Sequence, residues 1–545
     1  MKKFITLVAI LSCLAAVAAG GNAPAKEKKE TSETKVSMPD GIALATDVYL
    51  PGKKGRYPVV LVRTPYNKAA EKWMGKAFGL FGIAVVVQDV RGRYNSDGEY
   101  YPFVNERADG LATLRWIRSQ PWSDGTVAGW GGSYVGYTQW AISDSLDFLS
   151  PLLTGANLYD FAYPDGLFSL QTAFIWGFQN ASKTTNTIKP EKLAAAAMIL
   201  PLPAADDSTI KDIDFIDDWI AHEQFDDYWK QMDFRGITKA PVLSMAGWQD
   251  IFLKTQIEDF QALQAGNNSS NHLVIGPWCH GSQGEKNEYG GLKKTGNPKL
   301  IYKYVKKTLK GKNPKLASPL KDAKYNLFIM ERNEYVGSET WPPAETRSTQ
   351  YYFGPSGYLG TTPGEKSGSL GYIYSPSDPY PSIGGTALGT GVGPARQNAN
   401  ADRKDQLVFE LPVTGKPLIL LGPVDASLWV SSSVTCTDFM VGIQDVFPDG
   451  KIINIQEGGA RVTFSGPGCE KKDISVWATG YQINPGHKLR VFISSSWFPR
   501  YNRCLNTCEP VSTAMKFADA EQKVWYGSGT PSSISLPVYE PVKKK

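Results

Sequence analysis

Apolar and polar positions follow two rhythms along the first half of the chain. Short apolar runs rich in β-branched residues occur at Tyr57–Val62, Ile83–Val87, Thr126–Trp130, Pro241–Ala246 and His272–Ile275. Between some of these runs, at 106–120 and 255–266, apolar residues recur at helical spacing. Continuous apolar strands are typical of a parallel sheet that is buried on both faces. Strands alternating with helices therefore predict an α/β core built on a doubly wound sheet.

Two segments with other sequence patterns interrupt this alternation of strands and helices. The segment 151–239 is rich in helix formers and aromatic residues, and it predicts a helical cap whose rings either pack its own interior or line a site. After about residue 319, short stretches alternate with period two, as at Phe439, Val441 and Ile443, which predicts an antiparallel β-sandwich. We thus predict core segments at 36–150 and 240–318, the cap at 151–239 and the sandwich at 319–541. The glycine-rich stretch 384–393 is predicted to be a long surface loop.

The first residues predict export from the cell. Lys2 and Lys3 precede an apolar stretch, and small residues follow at Ala16 and Ala18, which together are typical of a signal peptide spanning 1–19. The apolar stretch is too short to predict a transmembrane span. Cys13 offers a second interpretation, a lipid anchor. Either route predicts a periplasmic or extracellular protein.

Composition narrows the function classes. The 545 residues suit two or three domains, and 42% hydrophobic residues suit a packed protein. The formal charge of +5 is not concentrated in any internal segment, so nucleic-acid binding is not expected. Four histidines without zinc-like spacing, and no C-x-x-C pair, predict neither a metal site nor a cofactor. Oligomeric state is left open.

Cysteine usage fits an oxidising compartment. Without Cys13, five cysteines remain, and four of them lie in the C-terminal third. Pairing Cys504 with Cys508 and Cys436 with Cys469 is one arrangement among several that the spacing permits. The remaining Cys279 is predicted to be buried and inert.

The stretch Ala128–Gly136 carries the first chemical signal. A strand is followed at once by Gly131, Gly132, Ser133 and the start of a helix, which describes the sharp turn that exposes a nucleophilic serine above a sheet. The glycine usually found two residues after the serine is displaced to Gly136. Taken alone, the pattern fits equally well a glycine-rich turn with a capping serine.

An acid and a base in matching places favour catalysis. Asp250 and His280 each follow the carboxyl end of a predicted strand, where open α/β sheets place their sites. Their order along the chain, serine then aspartate then histidine, is that of α/β-hydrolases. The other histidines, at 222, 272 and 487, lie in segments that suggest surface or structural positions. We therefore predict that Ser133, Asp250 and His280 form a catalytic triad.

Nine short motifs occur together along the chain. In the first half they are Met38–Gly41, Arg63–Tyr66, Gln88–Arg93, Gln120–Tyr134, Gly247–Asp250 and Gly276–Gly281. In the second half they are Thr437–Phe439, Phe447–Gly450 and Phe498–Tyr501. Together they resemble one family of α/β-hydrolases, the family of cocaine esterase, glutaryl cephalosporin acylases, α-amino-acid ester hydrolases and X-prolyl dipeptidyl peptidases. The resemblance implies a hydrolase core, a helical cap and a jelly-roll sandwich. It also implies an oxyanion hole made by the Tyr66 phenol and the backbone N–H of Tyr134.

The predicted reaction is hydrolysis of a small-molecule ester or amide through an acyl-enzyme on Ser133. In the α-amino-acid ester hydrolases, acidic residues follow the triad aspartate, whereas Ile251, Phe252 and Leu253 stand here. Apolar residues would desolvate an ammonium group without pairing it, so an α-amino substrate is disfavoured unless Asp160 or Asp165 contributes from the cap.

An esterase of bulky acyl or aryl esters is the preferred interpretation, with Phe252 and Trp176 as pocket walls. A glutaryl-type amide acylase and an X-prolyl dipeptidyl peptidase are the alternatives within the enzyme class. A non-catalytic carbohydrate-binding surface protein is the alternative outside it, because the predicted sandwich resembles carbohydrate-binding folds.

Overall fold

The structure is a computed structural model that describes residues 30–208, 212–264, 271–283, 298–312 and 314–541. The predicted signal peptide at 1–19 and its Cys13 lie outside the described residues. Export and lipid anchoring therefore stay predictions.

A mixed sheet forms the core of the first half. Its strands are β1 Glu30–Ser37, β2 Ala43–Leu50, β3 Tyr57–Thr64, β4 Ala84–Asp89, β5 Ser123–Gly132, β6 Phe148–Leu152, β7 Leu243–Gln249, β8 His272–Gln283, β9 Tyr325–Ile329 and β10 Glu334–Ser338. Their order is β1-β2-β4-β3-β5-β6-β7-β8-β9-β10, and the pairs from β4 through β9 are parallel. Every residue of β4 and β7 is buried, as the continuous apolar runs predict.

Helices cover this sheet and fill the long connection between β6 and β7. Those against the sheet are α1 Lys72–Gly79, α2 Glu106–Ser119, α3 Tyr134–Trp140, α10 Leu253–Gln264 and α11 Pro298–Leu309. The cap comprises α4 Tyr159–Ala162, α5 Leu170–Asn180, α6 Pro190–Ala196, α7 Ala204–Asp207, α8 Asp214–Ala221 and α9 Asp227–Lys230. The α/β core with inserted helices is as predicted. Among the described residues, no helix combines the length and apolar character that crossing a membrane requires.

The second half is built from antiparallel strands. They are β11 Thr346–Phe353, β12 Leu359–Gly360, β13 Gly368–Tyr374, β14 Leu388–Val392, β15 Leu407–Pro412, β16 Leu418–Ser432, β17 Cys436–Val446, β18 Ile452–Thr463, β19 Glu470–Ile483, β20 Lys488–Ser494, β21 Ala520–Tyr526 and β22 Ser533–Tyr539. All but β14 form two sheets, one of seven strands and one of four. The predicted all-β half is therefore confirmed, while its jelly-roll connectivity stays a prediction.

The prediction of a long surface loop at 384–393 was wrong. Residues Leu388–Val392 form β14, which pairs in parallel with the end of β8, and Leu388 lies opposite His280. The strands approach so closely that a Cβ on Gly281 would lie 1.9 Å from the Gly389 carbonyl oxygen. Glycine is needed at this contact. The glycine-rich composition of the segment made it resemble a loop.

One disulfide is present among the described residues, and it joins Cys436 to Cys508 across 72 positions. The pairing of Cys504 with Cys508 named from the sequence is therefore not the one formed, and Cys469 and Cys504 are free. Sequence spacing left the pairing open, and the fold decides it by bringing the start of β17 against the long connection between β20 and β21.

Candidate active site

The turn after β5 holds Ser133 in a strained backbone conformation. Its φ is 55° and ψ is −130°, a region that side-chain-bearing residues rarely adopt. The turn is possible because its neighbours lack side chains: a Cβ on Gly131 would lie 2.3 Å from Val135, and one on Gly136 would lie 2.4 Å from Thr154. The displaced glycine of the motif is thus a packing requirement against the segment after β6.

The structure brings the three predicted side chains together. Nε2 of His280 lies 3.0 Å from Oγ of Ser133, and Nδ1 of His280 lies 2.9 Å from Oδ2 of Asp250. Asp250 is fully buried, and its Oδ1 accepts a hydrogen bond of 2.9 Å from the backbone N–H of Phe252. With its proton on Nδ1, the imidazole leaves Nε2 free to accept the serine proton, which is the geometry of nucleophile activation.

Two donors lie beside Ser133, as the resemblance implies. The Tyr66 hydroxyl interacts with the Ser133 hydroxyl, and the backbone N–H of Tyr134 points to the same phenol oxygen. Burial raises the pKa of the Tyr66 phenol, so the phenol carries its proton at neutral pH and can donate it. A phenol hydroxyl and a backbone N–H beside the same serine are the kinds of donor that can stabilise an oxyanion.

A buried polar chain anchors the residue after the serine. The Tyr134 hydroxyl donates to Oε1 of Glu106 at 2.7 Å and accepts from the backbone N–H of Phe103 at 2.9 Å. Oε2 of Glu106 in turn lies 2.6 Å from Nη1 of Arg63, and neither side chain of this pair is more than 4% exposed. These polar contacts connect β3, the start of α2 and the serine turn. No motif in the sequence indicated them.

The pocket beside Ser133 is apolar and aromatic, with a free volume of about 20 Å³. Both predicted walls line it: Phe252 stacks on Phe161 at 5.2 Å, and Trp176 stacks on Phe103 at 5.3 Å between ring centroids. The other lining residues, which the sequence did not assign to a pocket, include Tyr137, Leu158, Ile251 and Leu388. Leu388 belongs to β14, so the all-β half contributes one wall. No sequence signal identifies Leu388 as a pocket residue within this glycine-rich stretch.

The acidic cap residues are engaged in ion pairs. Oδ2 of Asp160 lies 2.6 Å from Nη2 of Arg235. Nε of the same guanidinium lies 2.8 Å from Oδ1 of Asp259 on α10. Asp165 pairs with Lys254 and accepts a hydrogen bond of 2.9 Å from the Trp477 indole. Neither carboxylate lines the pocket beside Ser133. Both carboxylates are thus engaged with cations of this protein, although Asp160 shares Arg235 with Glu258 and Asp259.

The remaining histidines and Cys279 have structural partners. His222 stacks on Tyr228, His272 lies against the Ala323 carbonyl, and His487 pairs with the buried Asp445. Cys279 is buried as predicted, and burial raises the pKa of its thiol to about 12, so it stays protonated and unreactive. Within the described ranges, no group of three metal-ligating side chains is found.

Comparison with known proteins gives one consistent picture. Residues 40–282 match the X-Pro dipeptidyl-peptidase (S15 family), and residues 320–535 match the X-Pro dipeptidyl-peptidase C-terminal non-catalytic domain. Cocaine esterase from Rhodococcus sp. (strain MB1 Bresler) is 32% identical, with 93% of this chain and 98% of that protein covered.

Two solved structures share the fold over nearly their whole length. An aminopeptidase from a marine sediment Thaumarchaeota archaeon has a TM-score of 0.82 at 22% identity, covering 96% of this chain and 99% of its own. An α-amino acid ester hydrolase has a TM-score of 0.80 at 21% identity, covering 96% and 98%.

The fold and these matches define a serine hydrolase with an α/β-hydrolase core and an antiparallel all-β C-terminal half. The identity to cocaine esterase over almost the complete length of both proteins is too extensive to reflect a shared core alone. The chain belongs to the cocaine esterase and X-prolyl dipeptidyl-peptidase family.

Proposed function

We propose that the protein is a carboxylic ester hydrolase in which Ser133 is the nucleophile, His280 the general base and Asp250 the residue that orients the base. The observation that carries the proposal is the unbroken hydrogen-bonded path from the serine oxygen to a buried carboxylate. His280 takes the serine proton as the hydroxyl attacks the ester carbonyl, then returns it to the leaving alcohol. Water repeats the sequence on the acyl-enzyme.

During both steps negative charge develops on the carbonyl oxygen. We assign its stabilisation to the Tyr66 hydroxyl and the Tyr134 backbone N–H, the two donors that converge beside Ser133. Such donors are worth on the order of 3 kcal/mol each in comparable enzymes.

The substrate we propose has an uncharged, short acyl group. The pocket beside Ser133 has a free volume of about 20 Å³, which is room for about one water molecule, and the rings of Phe161 and Trp176 line it. The sequence favoured bulky acyl or aryl esters. We propose that the bulk of such an ester is carried by its alcohol or aryl leaving group.

A fluorophosphonate probe tests the nucleophile. We expect stoichiometric labelling of the protein and loss of both labelling and esterase activity in Ser133→Ala. Labelling or activity that persists in a folded Ser133→Ala protein would overturn the proposal. Absence of any labelling of the unmodified protein would favour the non-catalytic, carbohydrate-binding alternative.

A substrate panel tests the class. We expect p-nitrophenyl acetate and butyrate to be hydrolysed with higher kcat/KM than the benzoate, and esters to be preferred to anilides. Preference for glutaryl anilides would favour the acylase, and hydrolysis confined to substrates with a free α-amine would favour an X-prolyl peptidase.

We also propose that the protein is exported. The basic and then apolar first residues support this, and the disulfide between Cys436 and Cys508 suits an oxidising compartment. Mass spectrometry of the N-terminus from fractionated cells tests it. A mature start near residue 20 supports secretion, acylated Cys13 supports an anchor, and an intact Met1 in the cytoplasm contradicts both.

A further inference from the structure

The cap reaches the candidate oxyanion hole through one side chain. Trp176 lies on α5, and its indole Nε1 donates a hydrogen bond of 3.0 Å to the hydroxyl oxygen of Tyr66. An indole N–H is a donor only, whereas a phenol oxygen both donates and accepts. The Tyr66 oxygen must therefore accept from Trp176, and its own proton must point elsewhere.

The remaining direction for that proton is toward the serine. The Tyr66 oxygen also faces the Ser133 hydroxyl and the backbone N–H of Tyr134. Because the Trp176 indole N–H occupies one lone pair of the Tyr66 oxygen, the phenol proton can be directed toward Ser133. The carbonyl oxygen of a substrate attacked by Ser133 would lie there, within reach of the Tyr66 hydroxyl and the Tyr134 N–H.

The indole is held firmly in place. It stacks on Phe103, Tyr134 and Trp219 with interplanar angles of 23°, 13° and 22°, and only 7% of its surface is exposed. A donor whose ring is fixed by packing keeps its direction through the reaction, so no reorganisation is needed when charge develops.

The contact also acts electrostatically. Burial raises the pKa of the Tyr66 phenol, and the hydrogen bond from Trp176 acts in the opposite direction. As the phenol donates to a developing oxyanion, its own oxygen gains negative charge, which the indole N–H stabilises. Donors in a chain strengthen one another in this way inside a protein.

We propose that Trp176 is a positioning residue for the oxyanion hole, whose indole N–H orients the Tyr66 hydroxyl toward the reacting carbonyl. The cap is then part of the catalytic apparatus as well as a wall of the pocket. The inference rests on the proposed ester hydrolysis at Ser133.

A double-mutant cycle tests it with p-nitrophenyl acetate, whose small acyl group makes little use of the pocket wall. Trp176→Phe keeps an aromatic ring and removes the N–H. We expect kcat to fall about tenfold with KM within threefold of the parent, the loss expected for a donor acting through another group. In a Tyr66→Phe background, where no hydroxyl is left to orient, Trp176→Phe should cost less than twofold.

A purely structural or wall-forming role gives a different result. In that case Trp176→Phe lowers activity by the same factor in both backgrounds, and the loss appears in KM and grows with the size of the acyl group. Equal losses would overturn the inference. Phe252→Leu is the matched control, since Phe252 lines the same pocket, where its ring packs against Phe161 and His280, and it should act equally in both backgrounds.

Two further measurements keep the result interpretable. Circular dichroism and fluorophosphonate labelling establish that each variant is folded with a reactive serine. Should Trp176→Phe not fold, Trp176→Met replaces it in the cycle, because methionine fills irregular space without a donor. Full activity in Ser133→Ala would refute the proposed function itself, whereas additive losses with an inactive Ser133→Ala refute only the role of Trp176.

Discussion

The pocket beside Ser133 and the ion pairs on α10 use the same cap in opposite ways. Around the serine the cap contributes rings, such as Phe161 and Trp176, and the Trp176 indole donates a hydrogen bond to Tyr66. Toward α10 the cap contributes Asp160 and Asp165, both paired with cations. The charges therefore fasten the cap to the core, and the apolar surface faces the substrate. This division supports the proposal that the site takes an uncharged acyl group.

Asp250 holds His280 and precedes α10, which carries the ion-pair residues, and its replacement should have the largest effect. Asp250→Asn keeps the size of the side chain but presents an amide that favours the wrong tautomer of His280. We expect kcat to fall by about 10⁴-fold with KM little changed. Asp259→Asn on α10 is the control, since it removes a carboxylate from the ion-pair region and should alter stability, with kcat of the folded protein retained. A comparable fall of kcat in both variants would contradict the distinction between a carboxylate that orients His280 and a carboxylate that only forms ion pairs.

Glu71 provides a contrast to the paired carboxylates, because it is buried and no ion pair to it is found within the part of the chain that the structure describes. Burial raises the pKa of its carboxyl to about 7. An unfolded chain ionises it near 4.5, so the folded state binds the proton more tightly, and stability should fall as pH rises from about 4.5 to 7.

Glu71→Gln removes this ionisation. Thermal unfolding should show the variant more stable than the parent by about 2 kcal/mol at pH 8, with the difference vanishing near pH 4. Esterase activity at 25 °C should be unchanged. A stability difference that is the same at both pH values would show that Glu71 does not titrate between them.

The smallest effect is expected where a partly exposed ion pair is broken. Asp160→Asn leaves Arg235 with Asp259, so we expect a loss of about 1 kcal/mol in the free energy of unfolding. The ratio of kcat/KM for acetyl and alanyl p-nitrophenyl esters should not change. Asp227→Asn, which removes an exposed cap carboxylate, is the control. A selective loss of alanyl ester activity in Asp160→Asn alone would show that the cap acid binds the substrate amine.

The sequence was informative wherever a local backbone requirement dictates the residues. The serine turn needs Gly131, Gly132 and Gly136, because a side chain at any of them would collide with neighbouring atoms. All three glycines fall within the nine consecutive residues Ala128–Gly136, so the requirement is visible in the sequence. The parallel strands were equally visible, since burial on both faces demands unbroken apolar runs. The acid and base were then found from their positions after two such strands.

Long-range pairings were not visible in the same way. Leu388 becomes a pocket wall because β14 pairs with β8, about a hundred positions earlier in the chain, and nothing in a glycine-rich stretch specifies its partner. The disulfide of Cys436 likewise depends on where two distant segments meet. The link from Arg63 through Glu106 to Tyr134 joins three separate elements, and each of these residues alone reads as an ordinary strand or helix residue.

The glycine ribbon of β14 has a consequence for how selectivity can change in such proteins. It lies against the last residues of β8, yet it is encoded with the all-β half of the chain. Because the Leu388 side chain lines the pocket, we expect substitutions there to change which esters the site accepts while Ser133, Asp250 and His280 stay in place. Random libraries confined to this ribbon, or grafts of the ribbon from relatives, are an economical starting point for redirecting the enzyme to new esters.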